Sequence, residues 1–303
     1  MALWIPITIF AAFMQNLRFL LQRHLKVTTL STAGATWARF AYSAPLVAVL
    51  VVVYLGLSGQ ALPRPDLRFW AFLVPGALAQ ILATMCVVAL FAFRNFPVGI
   101  TLKKSEVMLS ALIGFILLGE GLSGVLIVAI VVGFVGVVLL SDPPRPDAAL
   151  PIWRRVVNRA SGFGLASGVL FGVSAVGYRG ASLALPDGDV FLRASLTLAA
   201  ATAVQTLALG AWLALRERGE IARVAASWRV SAPMGVASML GSLGWFTAFT
   251  LQTAALVKAL GQIELLFTFL FSVFWLGERS SAKELTGVAF LLASIGLIFL
   301  GSL

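Results

Sequence analysis

The sequence predicts an all-α polytopic membrane protein: ten transmembrane helices arranged as two inverted five-helix repeats. Three observations carry this expectation. The 303 residues are 60% hydrophobic and only 11% charged, against roughly a quarter charged in soluble domains. The apolar residues gather into ten runs of about 20 residues, the length a helix needs to cross ~30 Å of hydrocarbon. The chain also matches itself at an offset of 158 residues. Helices follow because a segment in hydrocarbon must satisfy its own backbone N–H and C=O groups, and the ~10-residue alternating segments of a β-barrel are missing.

The runs lie near 3–24, 33–57, 68–91, 97–118 and 121–141, then 160–183, 189–214, 230–252, 254–276 and 283–302. The first opens "MALWIPITIF", which lacks a basic n-region and continues past any cleavage site, so it reads as a retained span rather than a signal peptide. The third and eighth carry Pro75 and Pro233 early in their length. Each removes a backbone donor and is a candidate kink or hinge. The sixth carries Gly164, Gly168 and Gly172 at intervals of four, a flat strip that lets another backbone approach, either within the chain or across a homodimer. Residues 1–141 thus form a first repeat, 142–159 a cytoplasmic linker, and 160–303 a second repeat. The linker, "SDPPRPDAALPIWRRVVNRAS", brings Trp153, Arg154 and Arg155 to anionic lipid headgroups.

The net charge of +10 does not point to nucleic acid, because its basic residues follow loops rather than one water-facing surface. Alternate loops hold thirteen Lys or Arg, from Arg23 and Lys26 through to Arg279 and Lys283, against Arg64 and Arg68 on the other side. By the positive-inside rule the richer loops are cytoplasmic, and both termini lie outside a cell membrane. Trp4, Trp70, Trp153 and Trp228 fit the interfacial aromatic belt. Cys86 and His24 are the single residues of their kinds, so neither a disulfide nor a Cys/His-rich metal site is expected. No cofactor is implied.

The self-match pairs residues 70–120 with 228–278 without a gap. It includes Trp70/Trp228, Pro75/Pro233, Phe91/Phe249, Glu106/Glu264, Gly119/Gly277 and Glu120/Glu278. Trp, Pro and Glu pairs in one register are not explained by chance apolar similarity. Five spans per half is an odd number, so the halves enter the membrane in opposite senses. This is the plan from which many secondary transporters build a midplane site.

The stretches "FAFRNFPVGITL" and "LLGEGLSGVLIVAIVVGFVGVVLL", with their partner "VFWLGERSSAKELTGVAFLLASIGLIFL", resemble the EamA-type drug/metabolite transporter superfamily over nearly the whole chain. The resemblance implies movement of a small metabolite by alternating access, with export the favoured direction. Two features depart from it. Glu106 and Glu264 stand where many members carry Pro, and many members keep both termini in the cytoplasm.

The fourth run also poses a physical problem. Lys103, Lys104 and Glu106 stand inside it, at roughly 2.5–3.5 kcal/mol each if they faced lipid. They must face protein or water. Lys103 and Glu106, three apart, suit a local ion pair, while Lys104 points nearly opposite. The second half offers Lys258, Gln262 and Glu264, with Gln262 at the repeat position of Lys104. Arg39 and Arg193, each near the start of its half's second helix, are an additional cationic pair, whereas Arg18 and Arg179 suit snorkelling towards the interface. Trp37 and Phe40, then Phe91, Phe93 and Phe96, then Trp245, Phe246 and Phe249 supply aromatic walls. Glu120 and Glu278 end the fourth and ninth helices, where a local role in the turn is expected.

The candidate substrate-binding set is therefore Arg39, Lys103, Lys104, Glu106, Lys258, Gln262, Glu264, Phe93 and Trp245. The expected cargo is a small polar or zwitterionic metabolite, amino-acid-like or carboxylate-bearing. Glu106 and Glu264 are candidate proton carriers, since burial and a neighbouring lysine act oppositely on a carboxylate. The alternatives are a lipid flippase or scramblase of the same fold, or an enzyme acting on a lipid-linked substrate. Catalytic signatures such as HExxH or Gly-x-Ser-x-Gly are not found.

Overall fold

A computed structural model describes residues 2–90, 96–121, 123–141, 159–267, 269–270 and 282–301. These are helical with connecting turns, and no strand occurs among the described residues. The helices are α1 (Trp4–Thr28), α2 (Thr32–Ser58), α3 (Leu67–Leu90), α4 (Phe96–Lys103), α5 (Glu106–Leu118) and α6 (Gly124–Ser141). They continue with α7 (Arg159–Ala184), α8 (Val190–Arg216), α9 (Glu220–Ala226), α10 (Trp228–Leu251), α11 (Ala254–Gly261) and α12 (Ala282–Gly301). Six of them, α1, α2, α3, α7, α8 and α10, are long and apolar enough to cross a membrane. Shorter apolar helices cover Glu106–Leu118, Gly124–Leu139 and Leu285–Ile298.

Local chemistry sets the ends. Ser31 accepts from the Gly34 N–H at the start of α2, and Asp189 accepts from the Leu192 N–H at the start of α8. Each satisfies one of the donors a helix N-terminus leaves orphaned. Gly119 takes φ +67° to end α5, where the Glu120 N–H returns to the Gly114 carbonyl in a Schellman-type closure that glycine accommodates without strain. Helices α3 and α10 run through Pro75 and Pro233.

Two runs expected as single helices are interrupted. The run near 97–118 divides into α4 and α5, and the run near 254–276 divides after Gly261, with helix resuming over 264–267. The breaks are tightened by i to i−3 bonds at matching positions. Ser105 N–H donates to Leu102 C=O at 3.1 Å, and Ile263 N–H to Leu260 C=O at 3.0 Å. Val107 N–H donates to Lys104 C=O, as Leu265 N–H does to Gln262 C=O. A short 3₁₀ stretch within a helix turns side chains out of register with both flanking segments.

Packing is between first-half and second-half helices: α3 lies on α7, α1 on α10, α2 on α8 and α6 on α12, while α4 and α5 cover another side of α7. Small residues allow these approaches, as membrane packing requires. Gly177 meets the backbone of Gly76, Gly244 meets Ala11, and Gly136 meets the backbone of Gly287 and Leu291. The glycine strip of α7 is occupied in the same way. A Cβ on Gly164 would overlap the Gly99 carbonyl, and one on Gly168 would press on Ser105 and the Lys103 carbonyl. Of the two readings of that strip, the internal contact is the one seen here.

Trp4 departs from the aromatic belt, being buried in the main core, whereas Trp70 and Trp228 are exposed. Trp153, Phe91, Phe93, Gly277, Glu278 and the linker 142–158 lie outside the described residues, as does the side chain of Phe96.

Candidate functional site

Both helix breaks open onto one buried cluster of charge. Lys103 ends α4, Lys104 occupies the first break and Glu106 begins α5. From the other half, Lys258 lies on α11, Gln262 in the second break and Glu264 just beyond it. All six are buried.

The ion pairs cross between halves. Lys104 donates to the Glu264 carboxylate, and the Lys258 ammonium lies 3.5 Å from Glu106 Oε2. The local Lys103–Glu106 pair expected from their spacing exists at a looser 3.9 Å. Lys103 also faces the rings of Phe171 at 5.2 Å and Phe19 at 5.5 Å, positions from which an aromatic quadrupole attracts a cation. Lys258 stands similarly over Trp245 at 5.0 Å and Phe171 at 5.4 Å.

The two matched glutamates differ in their surroundings. Glu264 accepts from Gln15 Nε2 at 2.9 Å as well as from Lys104, and its main-chain carbonyl accepts from Asn16 at 3.1 Å. Glu106 Oε2 is buried without a hydrogen bond. Gln262 donates to the Lys258 carbonyl and lies with Lys104, Val107 and Ser294 along a narrow cleft between α5, α6, α11 and α12.

A cavity adjoins Lys258, lined among others by Arg18, Arg39, Gln80, Tyr178 and Trp245. Its volume is about 30 Å³, room for a water or two and far below the several hundred Å³ typical of a small-molecule site. Tyr178 and Phe246 stack in its wall with centroids 4.2 Å apart. The Tyr178 hydroxyl donates to Gln80 and accepts from Gln205, each at 2.9 Å, a network that reading the sequence did not single out. A roomier cavity of about 310 Å³ lies elsewhere, between His24, Leu25 and Thr29 near the end of α1 and Arg223, Ser227 and Arg229 around the start of α10.

The structure thus brings Arg39, Lys103, Lys104, Glu106, Lys258, Gln262, Glu264 and Trp245 to the buried interior, while Phe93 lies outside the described residues. Three expectations are corrected. Arg193 does not join Arg39 in the cavity wall and instead donates to the Ser182 carbonyl across the α7–α8 turn. Arg18 does not snorkel: it is 4% exposed and lines the cavity. Arg179 is held by Glu120 and by the Phe249 and Gln252 carbonyls, so Glu120 ties α7 rather than acting on its own turn. Gln15, Arg18 and Tyr178 could be found from sequence only as polar residues inside apolar runs, a signal shared by many residues without a site role.

No protein-family model matches the chain, and no curated protein does. Among solved structures 28 chains match. One, described only as "Crystal structure of protein", superposes with a TM-score of 0.71 and 14% identity over 98% of this chain and 96% of that one. At that identity the likeness shows the fold alone.

Proposed function

We propose that this chain is a secondary active transporter of a small, polar, carboxylate-bearing metabolite, amino-acid-like molecules included. It works by alternating access from ten spans in two inverted repeats. In this reading α4 with α5 form one broken span, and α11 with the helix resuming at 264 forms its counterpart. The packing supports the repeat. Exchanging the halves turns the α1 contact with α10 into the α7 contact with α3, and leaves α2 on α8 and α6 on α12 unchanged. Midplane sites formed at discontinuous helices are a recurrent feature of inverted-repeat transporters.

The observation that carries the proposal is the pair of crossed ion pairs, Lys104 with Glu264 and Lys258 with Glu106. Moving the halves apart breaks both. A buried charge stripped of its partner costs about 3–5 kcal/mol, so opening is uphill until something re-pairs the exposed groups. A cargo carboxylate meeting Lys258, or a proton on Glu106, does that. The aromatic wall of Trp245 and Phe171 then packs the apolar part of the cargo. Glu264, held by Gln15 and Lys104, acts as the lock. Glu106, held through the looser ion pairs with Lys258 at 3.5 Å and Lys103 at 3.9 Å, is the better placed proton carrier. Export direction, a cell-membrane location and outward termini belong to the same reading.

The test is a thermal-shift screen of the detergent-purified protein against a metabolite library, followed by counterflow in proteoliposomes with each hit. A ligand binding only the folded state stabilises by about 2.7 kcal/mol at a hundredfold excess over Kd. Saturable counterflow of a carboxylate-bearing hit, lost in Lys258→Met, supports transport. Shifts confined to lipids, with no counterflow of any polar hit, overturn it in favour of a lipid flippase.

A further inference from the structure

Among the described residues the buried charges do not balance. Lys104 and Lys258 are matched by Glu264 and Glu106, with Lys103 sharing Glu106. Arg18 and Arg39, each 4% exposed, have no carboxylate within 4.0 Å among the described residues. Their polar contacts are sparse. Arg18 donates to Gln22 at 3.0 Å, and Arg39 reaches Thr84 Oγ1 at 3.4 Å while its Nε is buried without a partner. Each also lies by a neighbouring ring, Phe19 at 4.0 Å and Phe40 at 4.7 Å. Both arginines line the same cavity.

A lysine in such a place can shed its proton, but a guanidinium stays charged at any ordinary pH. Two fixed positive charges in a buried interior, with five donors each and few used by protein groups, are a site built for something negative. Arginine's planar fork matches carboxylate and phosphate oxygens in particular.

From this geometry we infer that Arg18 and Arg39 together bind a small dianion, a dicarboxylate or a phosphate monoester, once the halves part and widen the cavity, which as it stands holds only a water or two. The inference rests on the transport reading for its role as cargo and sharpens its class, since a zwitterion leaves one of the two charges unmatched. Gln15, Gln80 and Ser174, which share the lining, supply further hydrogen bonds, and Tyr178 with Phe246 forms an apolar floor.

Binding is measured directly on the purified full chain at fixed ionic strength, by thermal shift and calorimetry. The probes are succinate, glycerol phosphate, the neutral isostere succinamide and the zwitterion glycine. The expected result is saturable binding of succinate or glycerol phosphate, the better of the two naming the anion. Succinamide should not bind, and glycine should bind at least tenfold more weakly. Arg18→Gln and Arg39→Gln should each weaken dianion binding at least tenfold. Arg39→Gln without ligand should melt at or above the wild-type temperature, because it removes an unmatched buried charge. Arg39→Lys should retain part of the affinity and stands as the folded comparison if a glutamine variant is poorly behaved.

Dianions that fail to bind, or bind equally well to both variants, overturn the inference. A large drop in ligand-free melting temperature in Arg39→Gln, with dianion affinity unchanged in Arg39→Lys and Arg18→Gln, overturns it in favour of a structural role. Dianion binding without counterflow in proteoliposomes leaves the site standing and removes the transport reading. Counterflow of a zwitterion without dianion binding does the reverse.

Discussion

Lys104 donates to the carboxylate of Glu264, 160 residues away along the chain. The pair joins the helix breaks of the two halves and is nearly sealed from water, Lys104 being 2% exposed. In a medium that screens charge so little, such a contact behaves as a latch rather than a surface ornament.

Removing one side of the latch should be worse than removing both. Lys104→Met or Glu264→Gln alone is expected to destabilise the protein by about 3–5 kcal/mol, because a buried charge loses its partner. The double variant Lys104→Met, Glu264→Leu should regain most of that loss. A double-mutant cycle by chemical unfolding in detergent measures the coupling, and additive losses would refute the latch.

On the transport proposal, Glu106 should carry the pH sensitivity. In Glu106→Gln, uptake into proteoliposomes should lose its response to an imposed pH gradient while pH-independent counterflow persists. In Glu264→Gln the gradient response should survive in whatever transport remains. A gradient response unchanged in Glu106→Gln removes it from the proton path.

The α7 glycine strip should tolerate no side chain. Gly164→Ala places a methyl group onto the Gly99 carbonyl and Gly168→Ala one onto Ser105, overpacking that costs typically about 1–3 kcal/mol. Gly162, two residues before Gly164 and with open space beside it, is the control. Melting temperatures of the three alanine variants decide the matter, and equal values would mean the strip is not a tight contact.

Asp189 ties the end of α2 to the start of α8. It caps Leu192 and accepts from Tyr54 at 2.5 Å and Gln60 at 2.8 Å. Burial alone would raise its pKa, but these hydrogen bonds outweigh it and hold the carboxyl below its ordinary value. The stability it adds is therefore fully present above the unfolded value of ~3.9 and is lost as pH falls through the lower folded one. Asp189→Ala should cost about 1 kcal/mol at pH 7, and the gap to wild type should close only in strong acid. A gap already closing near pH 6 would contradict this assignment.

The site was half legible before any coordinates. Lys103, Lys104 and Glu106 stood out because charge inside an apolar run is costly, and Glu264 because it repeats Glu106. Spacing on a helix favours Lys103 with Glu106, and that pair forms at 3.9 Å. The partners across the halves, Glu264 for Lys104 and Glu106 for Lys258, were not legible, because they depend on how the two helix breaks face each other. Arg18 looks like a snorkelling residue from its distance to the helix end, and the packing of α1 against α10 places it inside instead.

By itself the sequence determined that the chain is helical and apolar enough for a membrane, and which charged residues must avoid lipid. Those follow from local quantities: transfer free energy, backbone hydrogen bonding and the length of each run. Tertiary structure decided where the runs break, which ion pairs cross between halves, and that two arginines share a cavity with no carboxylate among its described lining residues. These depend on distances between residues far apart in sequence, and such distances are set by how helices pack rather than by what any one helix prefers.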